Sequence, residues 1–177
     1  MGIKSKLKHT ISFLLHGEAK PIYASIHYLA PNEHLKGKKI VITGGGRGLG
    51  FAMAKKFVSE GAKVLIAGRN EQTLKQSASE INCLYLPLDV QDTTSFKEFI
   101  DKADQMLGGL NCLVNNAGIS LHEEGFLAVS TQQFDSQVDT NLKGCFFLTQ
   151  TFIEKCNETH VEGTKNILFT SSETSMT

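Results

Sequence analysis

Apolar positions recur with two different periods along most of the chain, and the alternation between those periods sets the expected elements. From Lys39 a short apolar run of Ile40, Val41 and Ile42 reads as a strand entering a glycine-rich turn. Leu49, Ala52, Met53 and Phe57 then recur at helical spacing until Gly61. Val64 to Ala67 predicts a second strand, Asn70 caps a helix carrying Leu74, Ala78 and Ile81, and Leu84 to Leu88 supplies a third strand. Asp92 opens a helix whose apolar stripe is Phe96, Phe99, Ile100, Ala103 and Leu107; Gly108 stops it, and Leu110 to Val114 forms a fourth strand. Ser130 with Gln133 makes a capping-box pair that starts a long helical stretch through Phe134, Val138, Leu142, Phe146 and Ile153, and Ile167 to Thr170 is the fifth strand.

Strands alternating with helices pair in parallel through right-handed crossovers. The expected fold class is therefore α/β, a doubly wound parallel sheet with helices on both faces and a ligand at the carboxyl ends of the strands. Residues before Leu35 lack this rhythm and are punctuated by Pro21 and Pro31. Residues 1–34 are accordingly expected to be an N-terminal extension, an arm with one short amphipathic helix packing on the domain, and residues 35–177 the domain itself.

Composition narrows the ligand. With 177 residues, 41% of them hydrophobic, the chain can bury one substantial core. Lysine and arginine total 18 against 18 acidic residues, so no excess charge points to nucleic acid or an anionic membrane, and the expected ligand is small. Cys83, Cys112, Cys145 and Cys156 stand far apart, which suggests neither a metal site nor a disulfide framework and fits reduced thiols in the cytoplasm. Lys4, Lys6 and Lys8 precede an apolar run at Ile11 to Leu15 that is too short for a signal peptide, and no later run reaches the roughly 18 apolar residues a membrane span needs.

The densest local pattern is Thr43-Gly44-Gly45-Gly46-Arg47-Gly48-Leu49-Gly50, between the first strand and its helix. Glycines there permit a sharp turn and a close approach of backbone to a pyrophosphate, which the exposed N–H groups and the positive end of the following helix stabilise. With Asn115-Asn116-Ala117-Gly118 further along, the pattern Thr-Gly-x-x-x-Gly-x-Gly resembles the short-chain dehydrogenase/reductase family. The resemblance runs from about Leu35 to the end and includes Asp89-Val90, Asn141-x-x-Gly144 and Ser171-Ser172.

That resemblance implies a Rossmann-type fold, incomplete at its C-terminal edge in these residues, and an oxidoreductase moving a hydride between NADP(H) and a carbonyl or secondary alcohol. It implies that Gly44, Gly48 and Gly50, with Leu49 beside them, line the pyrophosphate. Asp89 and Val90 would flank the adenine, and Asn116, Ala117 and Gly118 would border the adenosine ribose. Asn115 would tie neighbouring strands together through its amide. Asn141 matches the family's active-site asparagine, which helps hold a water; a helix-interior asparagine is otherwise simply solvent-exposed. Ser172 matches the catalytic serine, with Ser171 the alternative in the neighbouring register. A homo-oligomer is expected at full length.

An acidic residue about 20 positions past the glycine turn would bind a ribose 2′-hydroxyl and repel a 2′-phosphate. None stands there: the second strand ends Ala67-Gly68-Arg69-Asn70, so Arg69 lies where the carboxylate would be and Arg47 stands in the glycine loop. Both favour NADP, unless each is only a solvated surface charge. The family's catalytic Tyr, assisted by a Lys four residues later, has no counterpart, since Tyr23, Tyr28 and Tyr85 sit in the wrong elements. Residues 1–177 are therefore expected to be inactive alone, either part of such an enzyme or a noncatalytic NADP-binding or scaffold module. His122, Glu123 and Glu124 are read as a solvated loop near the substrate side.

Overall fold

The computed structural model describes Leu7 and residues 30–120, 125–159 and 164–171, so the expected extension helix, His122 to Glu124 and Ser172 lie outside the described residues. Five strands, β1 (Lys39–Thr43), β2 (Lys63–Gly68), β3 (Leu84–Pro87), β4 (Cys112–Asn115) and β5 (Asn166–Phe169), form one sheet in the order β3-β2-β1-β4-β5. Every pairing is parallel. The helices are α1 (Gly48–Ser59), α2 (Glu71–Ile81), α3 (Phe96–Leu107), α4 (Thr131–Val138) and α5 (Cys145–Glu158), with a π-helical segment, Asp139–Gly144, joining the last two. The strand order reverses direction between β1 and β4, and that switch point is where an open α/β sheet leaves a crevice.

Side chains alternate across each strand, so the same short runs wall two separate cores. Val41, Leu65, Ala67 and Leu113 face a core shared with Phe96, Phe99 and Ile100 of α3 and Leu148 and Phe152 of α5. Ile40, Ile42, Val64, Ile66 and Val114 face the other, closed by Ala54 of α1 and Leu74, Ala78 and Ile81 of α2. Each fully buried Leu, Ile or Phe contributes about 1.5–3 kcal/mol by leaving water.

The helix ends follow from local chemistry. Asn70 Oδ1 accepts the Thr73 N–H at 2.8 Å, and Asn82 takes a left-handed φ of 54° beyond the last turn of α2. Asp92 caps the short turn that leads into α3, and Gly108 ends α3 at φ 72°. The free carbonyls there receive two ammonium groups: Lys63 Nζ donates to Met106 O and Leu107 O, and Lys39 Nζ donates to Gly108 O. Lys39 and Lys63 are register partners on adjacent strands, and this shared target at the negative end of α3 makes their juxtaposition tolerable.

The expected apolar stripe through residues 134–153 is corrected by the structure. Phe134, Leu142, Phe146 and Ile153 are exposed, and the buried face of the stretch is Thr140, Gly144, Leu148, Phe152 and Cys156. Expected positions are exposed both before and after the π-helical segment, and the buried ones recur every fourth residue from Thr140; the choice of face is made by the core of α3 and the sheet, which packs Leu148, Phe152 and Cys156 and leaves Phe146 and Ile153 to solvent. No helix among the described residues is long and apolar enough to cross a membrane.

Candidate cofactor cleft

β1 delivers Thr43 to the crevice, and the chain then turns through Gly44 at φ 65° and Gly48 at φ 56°, a left-handed backbone that side-chain-bearing residues seldom adopt. α1 begins with Arg47 in extended conformation, without a side-chain cap and without an acidic residue in its first turn. Its leading N–H groups therefore face the crevice unneutralised, as an anion site requires. Gly50 is needed for a different reason: a Cβ there would overlap Gly44 O and Asn116 Nδ2. The loop is anchored from behind by Gly45 N donating to Ala67 O at 3.1 Å and by the Ser77 hydroxyl donating to Gly46 O at 2.8 Å.

The opposite wall hangs on the Thr43 hydroxyl, whose oxygen accepts the N–H groups of Asn116 and Ala117, each at 3.0 Å. Asn116 returns the link, its Nδ2 donating to Thr43 O at 3.0 Å and Gly44 O at 3.3 Å. Asn115 differs from the expectation of an amide tying strands together. Its Nδ2 donates to Thr149 Oγ1 on α5 at 2.9 Å, and it is the backbone, whose carbonyl accepts from Thr170 N at 3.0 Å, that pairs with β5. The side chain points off the sheet plane, as strand side chains do, and so meets the covering helix.

At the third edge, Leu88 N donates to Gly68 O at 2.9 Å, carrying the chain from β3 past the end of β2 into exposed Asp89 and buried Val90. Asp89 Oδ1 accepts the Gln91 N–H at 3.0 Å. Arg47 and Arg69 are both exposed, and neither forms an ion pair among the described residues.

One cleft of about 590 Å³ is lined by Gly44, Arg47, Gly48, Leu49, Gly50, Arg69, Asp89, Val90, Asn116, Ala117 and Gly118, with Asn70, Ile119 and Thr140 also on its walls. That volume falls in the range of small-molecule and cofactor sites. Asn141 stands beside it, held by Ile119 N donating to Asn141 Oδ1 at 2.9 Å and Asn141 Nδ2 donating to Ile119 O at 2.8 Å. Its carboxamide is thus engaged, although the residue is exposed. Cys145 nearby is no thiolate candidate, because burial pushes its thiol above the ordinary range.

The roles of the Thr43 hydroxyl and Thr140 in lining the cleft, and of Gln91 behind its wall, do not follow from the motifs. The Thr43 role was detectable, since a hydroxyl at the last residue of a central strand must find partners when buried. Gln91 pairs with residues 45 and 49 positions away, a separation no local pattern reports.

A family model described as short chain dehydrogenase matches residues 38–177. Among curated proteins, 2,5-dichloro-2,5-cyclohexadiene-1,4-diol dehydrogenase LinX of Sphingobium indicum is 41% identical over 117 residues, which cover 63% of this chain and 46% of that protein. The NADP-dependent (R)-specific alcohol dehydrogenase of Lentilactobacillus kefiri is 33% identical over 127 residues, covering 70% of this chain and 50% of its own. The chain thus spans about half the length of these relatives. Among solved structures, the 3-ketoacyl-(acyl-carrier-protein) reductase of Brucella melitensis complexed with NADH superposes with a TM-score of 0.73 at 33% identity, covering 78% of this chain and 58% of that one.

Proposed function

The chain belongs to the short-chain dehydrogenase family, and from that premise we propose that it forms the cofactor-binding part of an oxidoreductase acting with NADP(H) on a carbonyl or secondary alcohol. When bound, the nicotinamide supplies or accepts the hydride. The residues of this chain bind and orient: the α1 N-terminus with Gly44, Gly48, Leu49 and Gly50 receives the pyrophosphate, and Asp89 and Val90 take the adenine. Asn116, Ala117 and Gly118 border the adenosine ribose. Asn141 holds a water beside Ile119, and Ser172 hydrogen-bonds the reacting oxygen.

The choice of NADP(H) rests on a single observation. Arg47 and Arg69 line the cleft without ion-pair partners among the described residues, and no carboxylate follows β2 where a ribose 2′-hydroxyl would be bound. One compared protein is named as NADP-dependent and another was solved with NADH, so this chain's own arginines carry the distinction. Titration of NADPH and NADH is expected to favour NADPH, and Arg69→Asp is expected to shift the preference toward NADH by roughly tenfold or more, since about 1.4 kcal/mol corresponds to a factor of ten. Equal affinity for the two cofactors would overturn the reading.

None of the three tyrosines in these 177 residues is followed four positions later by lysine. The absence of that proton-transfer pair supports a chain without turnover alone, as losing such a group costs roughly 10²–10⁴ in rate. Carbonyl reduction by residues 1–177 that Ser172→Ala abolishes would place the proton donor elsewhere. Four free cysteines among the described residues support a reducing compartment such as the cytoplasm, and the family premise supports a homo-oligomer at full length.

A further inference from the structure

Asn141 belongs to the π-helical segment Asp139–Gly144. A π-turn is an unfavourable local choice for a chain that could form α-helix, so something outside the segment must hold it. Beside the Asn141–Ile119 pair, two contacts do so, and both come from the loop after β3. Gln91 Nε2 lies 2.7 Å from Thr140 Oγ1, 3.2 Å from Ser136 Oγ and 3.3 Å from Ser136 O, so one carboxamide spans the end of α4 and the start of the π-turn. Gly144, at the other end of the segment, rests against the carbonyl of Val90 so closely that a Cβ would overlap that oxygen. Val90 and Thr140 are 8% and 6% exposed, so neither contact is a loose surface encounter.

Asp89, Val90 and Gln91 are therefore one short stretch with two jobs. The first two residues wall the cleft, and the third grips the segment that carries Asn141. We propose that Gln91 is a positioning residue that couples occupancy of the Asp89–Val90 wall by an adenosine phosphate to the order of residues 139–144, and through them to the placement of Asn141. The inference rests on the reading of that wall as the adenine side of a cofactor cleft. Coupling of this kind is reciprocal: whatever stiffens the wall stiffens the π-turn, and loosening the π-turn weakens binding at the wall. The Gln91 carboxamide bonds Ser136 and Thr140 rather than Asn141 or Ile119, so it acts on Asn141 through the turn between them.

Hydrogen exchange on the full chain with adenosine 2′,5′-bisphosphate as probe tests this, because the probe carries adenine and phosphates but no nicotinamide. In the parent protein, saturating probe is expected to slow amide exchange at residues 139–144 roughly fivefold or more, alongside residues 44–50 and 88–91. Gln91→Leu, which keeps bulk and removes the donors, is expected to reduce the effect at 139–144 at least twofold, since the Val90–Gly144 contact remains, while leaving that at 44–50. Thr140→Val removes an acceptor at nearly constant shape and guards against a Gln91 variant that fails to fold; it is expected to give the same loss, and the double variant no further loss. Undiminished protection at 139–144 in both folded variants overturns the coupling, as does a parent protein protected at 44–50 but not at 139–144. Failure of the probe to bind the parent protein at all overturns the cofactor reading together with it.

Discussion

The carboxamide of Asn141 and the backbone of Ile119 bond to each other twice, as donor and acceptor in both directions, at 2.8 and 2.9 Å. A side chain here does what a neighbouring strand would do, satisfying both polar groups of one residue just past the end of β4. The consequence is geometric: the path of the chain at Gly118 and Ile119 is set by a residue on the π-turn, and a water held by Asn141 would be placed relative to the same backbone.

Replacing Asn141 with leucine removes both bonds. Ile119 is only half-buried, so water recovers part of the loss, and the expected cost is about 1 kcal/mol, seen as a fall in Tm of roughly 2–4 °C. Amide exchange at Ile119 should accelerate while that of β1 and β2 stays unchanged, and an unaltered Ile119 amide would show that the two bonds carry no constraint.

Thr43→Val is nearly isosteric yet leaves the N–H groups of Asn116 and Ala117 without their acceptor. Thr43 is 2% exposed, so water is a poor replacement and the expected loss is about 2–4 kcal/mol from two stranded donors. Thr43→Ser should recover most of it. Urea unfolding of the two variants side by side measures the difference.

Gly50→Ala should be damaging out of proportion to one methyl group, because the added Cβ meets backbone at Gly44 and must displace the glycine loop or Asn116. Overpacking of this kind costs about 1–3 kcal/mol in stability. Nucleotide affinity, measured by calorimetry, should fall more than stability does, since the displaced atoms line the cleft.

Stability in acid should depend on Glu60. Its carboxylate accepts from Lys56 Nζ and, at 2.6 Å, from His34 Nδ1, which must carry the hydrogen because a carboxylate has none to give. The Lys56 bond first, and the His34 bond second, hold the Glu60 carboxyl down at about 2, below its ordinary 4.5. A depressed carboxylate contributes stability that is complete above 4.5 and is lost as pH falls from there toward 2. Glu60→Gln should flatten the melting temperature across that window and leave the neutral range little changed; an identical acid limb in both proteins would assign the loss to other carboxylates.

The elements legible in the sequence are those whose cause is local. Asn70, Asp92, Gly108 and the Ser130–Gln133 box act on backbone within a few residues, and each sits where its chemistry places it. The glycine turn was legible for the same reason. What could not be read depends on partners far along the chain. The Asn115 amide bonds Thr149 because α5 happens to cover that face of β4, the buried face of α5 is chosen by the core it shares with α3, and the π-turn is held by Gln91 and Gly144. A helical wheel assumes an unbroken period, and nothing local to Asp139–Gly144 announces that the period breaks.

The π-turn also makes residue count a constraint independent of residue identity. Each α-helical residue turns the chain about 100°. Deleting one position within 139–144 would remove the extra residue that the wide turn accommodates, and the stretch could close into plain α-helix with α4 and α5 in nearly the same rotational phase. Inserting one more would instead rotate α5 against α4 by about 100°. Either Leu148 and Phe152 would then leave their core, or Ser136 and Thr140 would leave Gln91. In a library of variants, this is the stretch where one added codon should be more harmful than one removed.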